Sequence, residues 1–174
     1  RHDTDIPDEV IDGLSALGVF GLSIPTEYGG SQDPSDPDHL GMVVATENLS
    51  RSSLAAGGSL ITRPEILAQA LLAGGSEAQR RRWLPGIASG QRLVAVAVTE
   101  PDAGSDVASI SIQARRVGEG WSLRGTKTWS TFAGRADLLM VLARTDDDPA
   151  AGHRGLSLFV VEKPRFTGHT FDLT

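Results

Sequence analysis

LVAVAVTEPDAGSD, residues 93–106, marks the point where the sequence pattern changes from helical to extended. The run up to Thr99 is apolar and rich in β-forming residues, which is typical of a strand covered on both faces. Pro101, Asp102 and Gly104 then break the run, and such a turn exposes backbone N–H groups and hydroxyls that can bind an anion or a ring edge. We therefore expect a buried strand that ends in a candidate binding segment.

The sequence before this stretch has the spacing of helices. A short amphipathic helix is predicted after Pro7, with Val10, Leu14 and Leu17 on one face and a C-terminal cap at Gly18. The Pro- and Asp-rich segment that precedes residue 39 favours a loop.

Three further helices are predicted in the first half of the chain. Two cover residues 39–52 and 64–73, where apolar residues recur at helical spacing. A third is predicted to begin at Ser76, because Gln79 three residues later completes the capping-box pattern.

The sequence after residue 106 predicts strands joined by short turns. Alternating or continuous apolar patterns occur at 110–114, 121–129, 137–144 and 155–162. Helices followed by strands predict an α+β chain. We expect an N-terminal helical domain over residues 1–90 and, over 91–174, an incomplete middle domain with an antiparallel, barrel-like sheet.

The composition excludes several classes of function. The chain has no cysteine, and its four histidines lie far apart, so neither a thiolate nucleophile nor a metal site is expected. A net charge of −6 argues against nucleic-acid binding. No GxGxxG lies between a strand and a helix, which argues against a dinucleotide fold.

No sequence feature indicates a membrane or a secretory destination. No apolar run is long enough for a membrane span, and the first ten residues lack the layout of a secretory signal. We expect a soluble, cytoplasmic protein. The chain has no initiating Met and stops inside an apolar and polar alternation, from which we expect a fragment.

A second candidate segment, GTKTWSTFAGRAD, occupies residues 125–137. It is predicted to resemble the first in design, with Trp129, Ser130 and Thr131 at the end of another strand. An aromatic ring beside two hydroxyls suits a flat, polar ring.

These segments closely resemble the acyl-CoA dehydrogenase family. The motifs TEPDAGSD at 99–106, KTWST at 127–131 and LARTD at 142–146 occur in the order and spacing of the family. The segments at 17–30 and 74–90 are similar to the helical domain of the family, so the resemblance covers nearly the whole chain.

The resemblance implies a helical N-terminal domain, a β middle domain and a C-terminal helical bundle, with FAD between the domains. The bundle is absent from this chain, and the family's catalytic base is a carboxylate from that bundle. The implied reaction desaturates an acyl-CoA between Cα and Cβ, with hydride transfer to flavin N5. The resemblance also implies that an electron-transfer flavoprotein accepts the electrons and that the protein is a homo-oligomer. This fragment alone is expected to be inactive.

The same resemblance implies which residues meet the cofactor. Val98 and Thr99 are expected near the pyrimidine edge of the ring, and Thr131 near N5. Ser105 is expected to meet both FAD and the acyl-CoA. The full set of expected cofactor-binding residues is Val96, Ala97, Val98, Thr99, Gly104, Ser105, Trp129, Ser130 and Thr131.

Alternatives remain at this stage. An acyl-CoA oxidase of the same fold and a non-catalytic flavin or acyl-CoA binding module are both compatible with the motifs. Glu100 is expected to fix its turn rather than to act in catalysis. The sequence also looks like the branch that includes methylsuccinyl-CoA dehydrogenases, where Arg63 either meets a second carboxylate of the substrate or is a surface cation at a helix start.

Overall fold

The computed structural model describes residues 6–165. The chain divides into two compact units, of which the first ends at Val94 and the second begins at Ala95. Two of the four histidines, His2 and His169, and the last part of the expected middle domain, 166–174, lie outside the described residues.

The first unit is helical, as the sequence predicts. Its α-helices are α1 (Asp8–Ala16), α2 (His39–Ser52), α3 (Thr62–Gly74) and α4 (Glu77–Ala88). A π-helical turn, Ala56–Leu60, precedes α3.

The capping box predicted at the start of α4 is present. Gln79 N–H donates to Ser76 Oγ at 3.3 Å, and Ser76 N–H donates to Gln79 Oε1 at 2.8 Å. The two bonds satisfy backbone donors that the first turn would otherwise leave without partners.

The apolar face predicted for α1 differs from the one that the structure buries. Ile11 and Leu14 are buried, whereas Val10 is 38% exposed and Leu17 is 78% exposed. Leu17 is the C-cap of α1, and Gly18 follows in the left-handed conformation. Ile11 and Leu14 therefore pack in the core, whereas Leu17 does not, because it lies beyond the last helical residue.

Helix α2 leaves most of its apolar side chains exposed. Asp38 caps its N-terminus by accepting a hydrogen bond from Gly41 N–H at 2.8 Å. Met42 is the buried residue of the helix, while Leu40, Val43 and Val44 are exposed. Their helical spacing therefore predicts the helix correctly, although it does not show that they are buried.

The second unit is built on a five-stranded mixed sheet. Its strands are β1 (Val94–Ala97), β2 (Gln113–Val117), β3 (Gly120–Arg124), β4 (Leu138–Arg144) and β5 (Leu156–Glu162). The predicted α+β organisation is confirmed.

The sheet is mixed and, over the residues described, does not close into a barrel. The β2–β3 hairpin is antiparallel, as is β4–β5, whose register runs from Leu138 opposite Glu162 to Arg144 opposite Leu156. By contrast, β2 meets β4 in parallel at Gln113 and Arg144. Strand β4 also pairs with β1, so it is the central strand, which explains why it is buried along most of its length.

The core of this unit consists mainly of small side chains. Short alanine side chains let strands and loops approach closely, and larger residues fill the remaining space. The buried cluster contains Ala95, Ala97, Ile112, Ala114, Ala136, Leu139, Val141 and Ala143.

No helix in the part of the chain described is long and apolar enough to cross a membrane.

Two glycines of the first unit allow a matched test of packing. Gly13 lies on the exposed side of α1, and an added Cβ would meet no atom within 4 Å. At Gly30 an added Cβ would overlap the carbonyl oxygen of Ile24, which accepts a hydrogen bond from Gln32 N–H at 3.0 Å.

We expect opposite effects of alanine at these two positions. G13A should stabilise the protein by roughly 0.5–1 kcal/mol, because a helix-interior glycine has excess freedom to lose on folding. G30A should destabilise it by about 1–3 kcal/mol or more, because the backbone must move to admit the methyl group. Urea unfolding of the full-length gene product would measure both, and an equal effect at the two positions would contradict the packing described.

Candidate functional site

The two candidate segments lie side by side in the second unit. Thr128 N–H donates to Thr99 O at 2.9 Å, and Lys127 Nζ donates to Val98 O at 2.7 Å. The end of β1 and the segment that leads to Trp129 are therefore joined by direct hydrogen bonds. We call this pair of segments, residues 96–105 and 127–131, the paired rim.

Glu100 joins the paired rim to the start of β2. Its carboxylate accepts hydrogen bonds from Ser111 N–H and Oγ, each at 2.7 Å, and from Ile112 N–H at 2.9 Å. It also forms an ion pair with Lys127 Nζ at 3.0 Å, and both side chains are less than 10% exposed. The structure therefore agrees with the expectation that Glu100 fixes its turn.

The pKa of Glu100 reflects two opposed causes. Burial acts to raise the pKa, but the hydrogen bonds from Ser111, Ile112 and Lys127 favour the charged form and lower the pKa to about 2. Burial lowers the pKa of Lys127, an effect that the hydrogen bond and charge of Glu100 oppose. Each member of the pair therefore keeps the other charged.

The turn after Glu100 leaves its last residues open to solvent. Glu100 N–H donates to Ala103 O at 2.8 Å, and Ala103 is buried. Gly104 and Ser105 follow in exposed positions. They are therefore accessible, as residues that meet a ligand must be.

Trp129 lies in a loop, and the expectation that it ends a strand is wrong, since β3 ends at Arg124. Its φ is +57°, and its side chain is 88% exposed. Phe132 also has a positive φ, +74°. Such conformations cost of order 1–3 kcal/mol each and persist at functional sites, where the surroundings enforce them. An exposed tryptophan on a strained loop makes this segment a candidate surface for a flat partner.

Two hydroxyls beside Trp129 are buried without a hydrogen-bond partner among the described residues. These are Thr128 Oγ1 and Ser130 Oγ. A buried hydroxyl without a partner costs about 1–3 kcal/mol. The loop therefore retains unsatisfied polar atoms beside an exposed aromatic ring.

The remaining expected site residues differ in how far their side chains are exposed to solvent. Ala97 packs its side chain into the core, so only its backbone is available to a ligand. Val96, Val98 and Thr99 are half-buried, whereas Thr131 is exposed. The hydrogen bonds bring Val98 and Thr99 together with the segment that contains Trp129, and the turn connects them to Gly104 and Ser105.

Sequence reasoning missed Lys127 and Thr128. The sequence contained a signal for Lys127, because the acidic Glu100 follows the apolar run of the first segment and the basic Lys127 precedes Trp129 in the second. Arg63, by contrast, lies in the first turn of α3 in the helical unit, where burial lowers its pKa. Among residues 6–165 no three His, Asp or Glu side chains are grouped closely enough to hold a metal ion.

Comparison with known proteins identifies both units. Residues 1–91 match the N-terminal domain of acyl-CoA dehydrogenases, and residues 95–171 match the middle domain. The chain is 44% identical over 162 residues to (2S)-methylsuccinyl-CoA dehydrogenase of Cereibacter sphaeroides, covering 93% of this chain and 28% of that protein. It is 40% identical over 161 residues to glutaryl-CoA dehydrogenase of Desulfococcus multivorans, covering 92% of this chain and 40% of that protein.

A solved structure shows the same fold. Butyryl-CoA dehydrogenase of Megasphaera elsdenii superimposes with a TM-score of 0.79 at 31% identity, over 90% of this chain and 40% of that chain. The chain thus spans well under half the length of these relatives.

The Glu100 ion pair makes a testable contribution to stability. E100Q should lower the free energy of unfolding at neutral pH by about 3–5 kcal/mol, because it leaves a buried ammonium without its counterion. In the native sequence, the contribution of Glu100 is complete above pH 4.5 and is lost as the pH falls towards about 2, because folding lowers its pKa. E100Q should lack this part of the acid dependence.

The matched control is E47Q, which removes an exposed carboxylate paired with Arg51 at 2.8 Å. Exposed pairs of this kind contribute about 0.3–0.5 kcal/mol. Chemical unfolding at several pH values would measure both variants. Equal losses for E100Q and E47Q would contradict the description of the buried pair.

Proposed function

The chain belongs to the acyl-CoA dehydrogenase family, and from this premise we propose that it is the FAD-binding part of an enzyme that desaturates an acyl-CoA thioester. The observation that supports this proposal most directly is the paired rim. It combines two hydrogen-bonded segments, an exposed Trp129 on a strained loop and buried hydroxyls without partners. A flat ring with polar edges has the chemistry to stack on the Trp129 side chain and to bind polar groups of the two segments.

We assign each side of the rim a role towards FAD. The backbone of Val98 and Thr99 and the hydroxyl of Thr99 would bind the polar pyrimidine edge, while Trp129 and Thr131 would flank the ring, with Thr131 near N5. Gly104 and Ser105, both exposed, would bind the cofactor further along, and Ser105 would also meet the acyl-CoA. Val96, Ala97 and Ser130 would complete this wall, Ala97 through its backbone.

FAD supplies the hydride acceptor, a chemistry that no side chain provides. The task of the paired rim is to orient the ring and to place hydrogen-bond donors where negative charge develops. No residue of this chain is assigned as the catalytic base, which in the family is a carboxylate of the C-terminal helical bundle. An electron-transfer flavoprotein as acceptor and a homo-oligomeric assembly belong to the same proposal.

The proposal also extends to the substrate. Two of the relatives described above are named for methylsuccinyl-CoA and glutaryl-CoA, and each of these acyl groups has a free carboxylate in addition to the thioester. We propose that the substrate is such an acyl-CoA.

Spectroscopy of the full-length gene product tests this function. We expect a visible flavin spectrum that bleaches under anaerobic conditions when methylsuccinyl-CoA is added, with a higher kcat/KM than for butyryl-CoA. Preference for the neutral chain would contradict the proposed substrate, and a colourless protein that binds no FAD would contradict the proposed cofactor.

A substitution of Trp129 distinguishes an effect on FAD binding from an effect on the stability of the protein. Its side chain is 88% exposed, so its removal takes little packing away from the protein without cofactor. W129G should not lower the free energy of unfolding of the apoprotein, since glycine adopts the positive φ without strain. It should weaken FAD binding at least tenfold, because the ring loses its stacking partner.

The two effects are measured by urea unfolding of the apoprotein and by FAD titration. V117G is a matched control, because Val117 is also exposed but lies at the end of β2, next to the turn of the β2–β3 hairpin. W129G with unchanged FAD affinity, or V117G with an equal loss of affinity, would contradict the assignment of Trp129.

A further inference from the structure

We propose that Lys127 tunes the reduction potential of the bound flavin by polarising the peptide group between Val98 and Thr99. The inference rests on the proposed function, in which Thr99 meets the polar edge of the ring. It concerns a residue that contacts neither the ring nor the substrate in that proposal, so Lys127 is a positioning residue.

The ammonium group of Lys127 is held in one place. Its Nζ donates to Val98 O at 2.7 Å and to Glu100 Oε1 at 3.0 Å, and its side chain is 9% exposed. A buried charge with two short hydrogen bonds acts in surroundings of low dielectric, where its effect on neighbouring dipoles is larger than in water.

The carbonyl that Lys127 contacts belongs to the same peptide group as the N–H of Thr99. A charged donor on the oxygen of a peptide group draws electron density towards that oxygen and makes the N–H a stronger hydrogen-bond donor. Lys127 therefore strengthens the Thr99 N–H.

The next peptide group is polarised too, but its N–H is already used. Thr99 O accepts from Thr128 N–H at 2.9 Å, and the N–H of that peptide, on Glu100, donates to Ala103 O at 2.8 Å. This second N–H therefore stabilises the turn. Of the two polarised N–H groups, those of Thr99 and Glu100, the N–H of Thr99 is therefore the one that we assign to the ring.

Glu100 limits the effect to a short range. Its carboxylate lies 3.0 Å from the ammonium, so the pair has no net charge and its field decays quickly with distance. The influence of Lys127 on the ring is accordingly transmitted through the Val98 carbonyl. A stronger donor at the ring edge favours the more electron-rich, reduced form of a flavin, and hydrogen bonds to the ring are a known means of setting its potential.

The test compares flavin midpoint potentials in the full-length holoenzyme. K127M removes the charge at similar side-chain length, and we expect it to favour oxidised over reduced flavin about tenfold more than the native protein does. For a two-electron couple this corresponds to a potential about 30 mV lower. K127R keeps a charged donor at the same position and should restore most of the native potential.

The matched control is K163M. Lys163 is the other lysine that is buried in the described chain, and its Nζ donates to the carbonyl oxygens of Gly134, Ala136 and Pro164 at 2.9–3.0 Å. It contacts neither Val98 nor Thr99 through these bonds. K163M should therefore leave the potential unchanged, even if it destabilises the protein.

A double variant keeps the test decisive if K127M does not fold. E100Q/K127M removes both buried charges together and leaves neither without a counterion, and it should lower the potential as K127M does. An unchanged potential in K127M and in E100Q/K127M, an equal fall in K163M, or a K127R potential equal to that of K127M would overturn the inference. A native protein without flavin would overturn the proposed function and this inference with it, whereas bound flavin whose potential is unchanged in K127M and in E100Q/K127M would overturn the inference alone.

Discussion

The second unit depends on one buried interaction, the ion pair of Glu100 and Lys127. The carboxylate binds the backbone where β2 is about to begin, and the ammonium binds the backbone where β1 has ended. Three chain segments that are distant in sequence are thereby held at fixed separations. Buried ion pairs are weak evidence for stability, because desolvation offsets much of the attraction between the charges. Their contribution here is geometric: the pair determines where the Thr99 and Thr128 backbones meet.

A second constraint is the strained loop beside this pair. Trp129 and Phe132 both have positive φ, yet they are stabilised differently. Phe132 packs against the core and lies under the guanidinium of Arg135 at 5.7 Å, so packing compensates for its conformation. Trp129 is exposed and has no such compensation. A ligand that covers the Trp129 ring would supply the missing contact, which is why the strain is informative at Trp129 and unremarkable at Phe132.

The mixed sheet explains how the rim is supported. Strand β4 pairs with β5 along its whole length and also with β1, while its parallel pairing with β2 is at Gln113 and Arg144. Arg144 strengthens this narrow contact, because its N–H donates to Ile112 O at 2.8 Å and its guanidinium donates to Ile110 O and Ala108 O. The chain that leaves the rim is thereby attached to the central strand.

Local chemistry in the sequence determined the elements of this protein. The capping box at Ser76, the apolar run before Thr99 and the β2–β3 turn were predictable, because each depends on residues a few positions apart. The family motifs likewise identified the two rim segments. Only the tertiary structure decided that Lys127 pairs with Glu100, that Trp129 leaves the strand and that β2 meets β4 in parallel. These features depend on burial and on contacts between residues far apart in the chain, and the free energy of a buried charge or a strained φ depends on surroundings that no local pattern specifies.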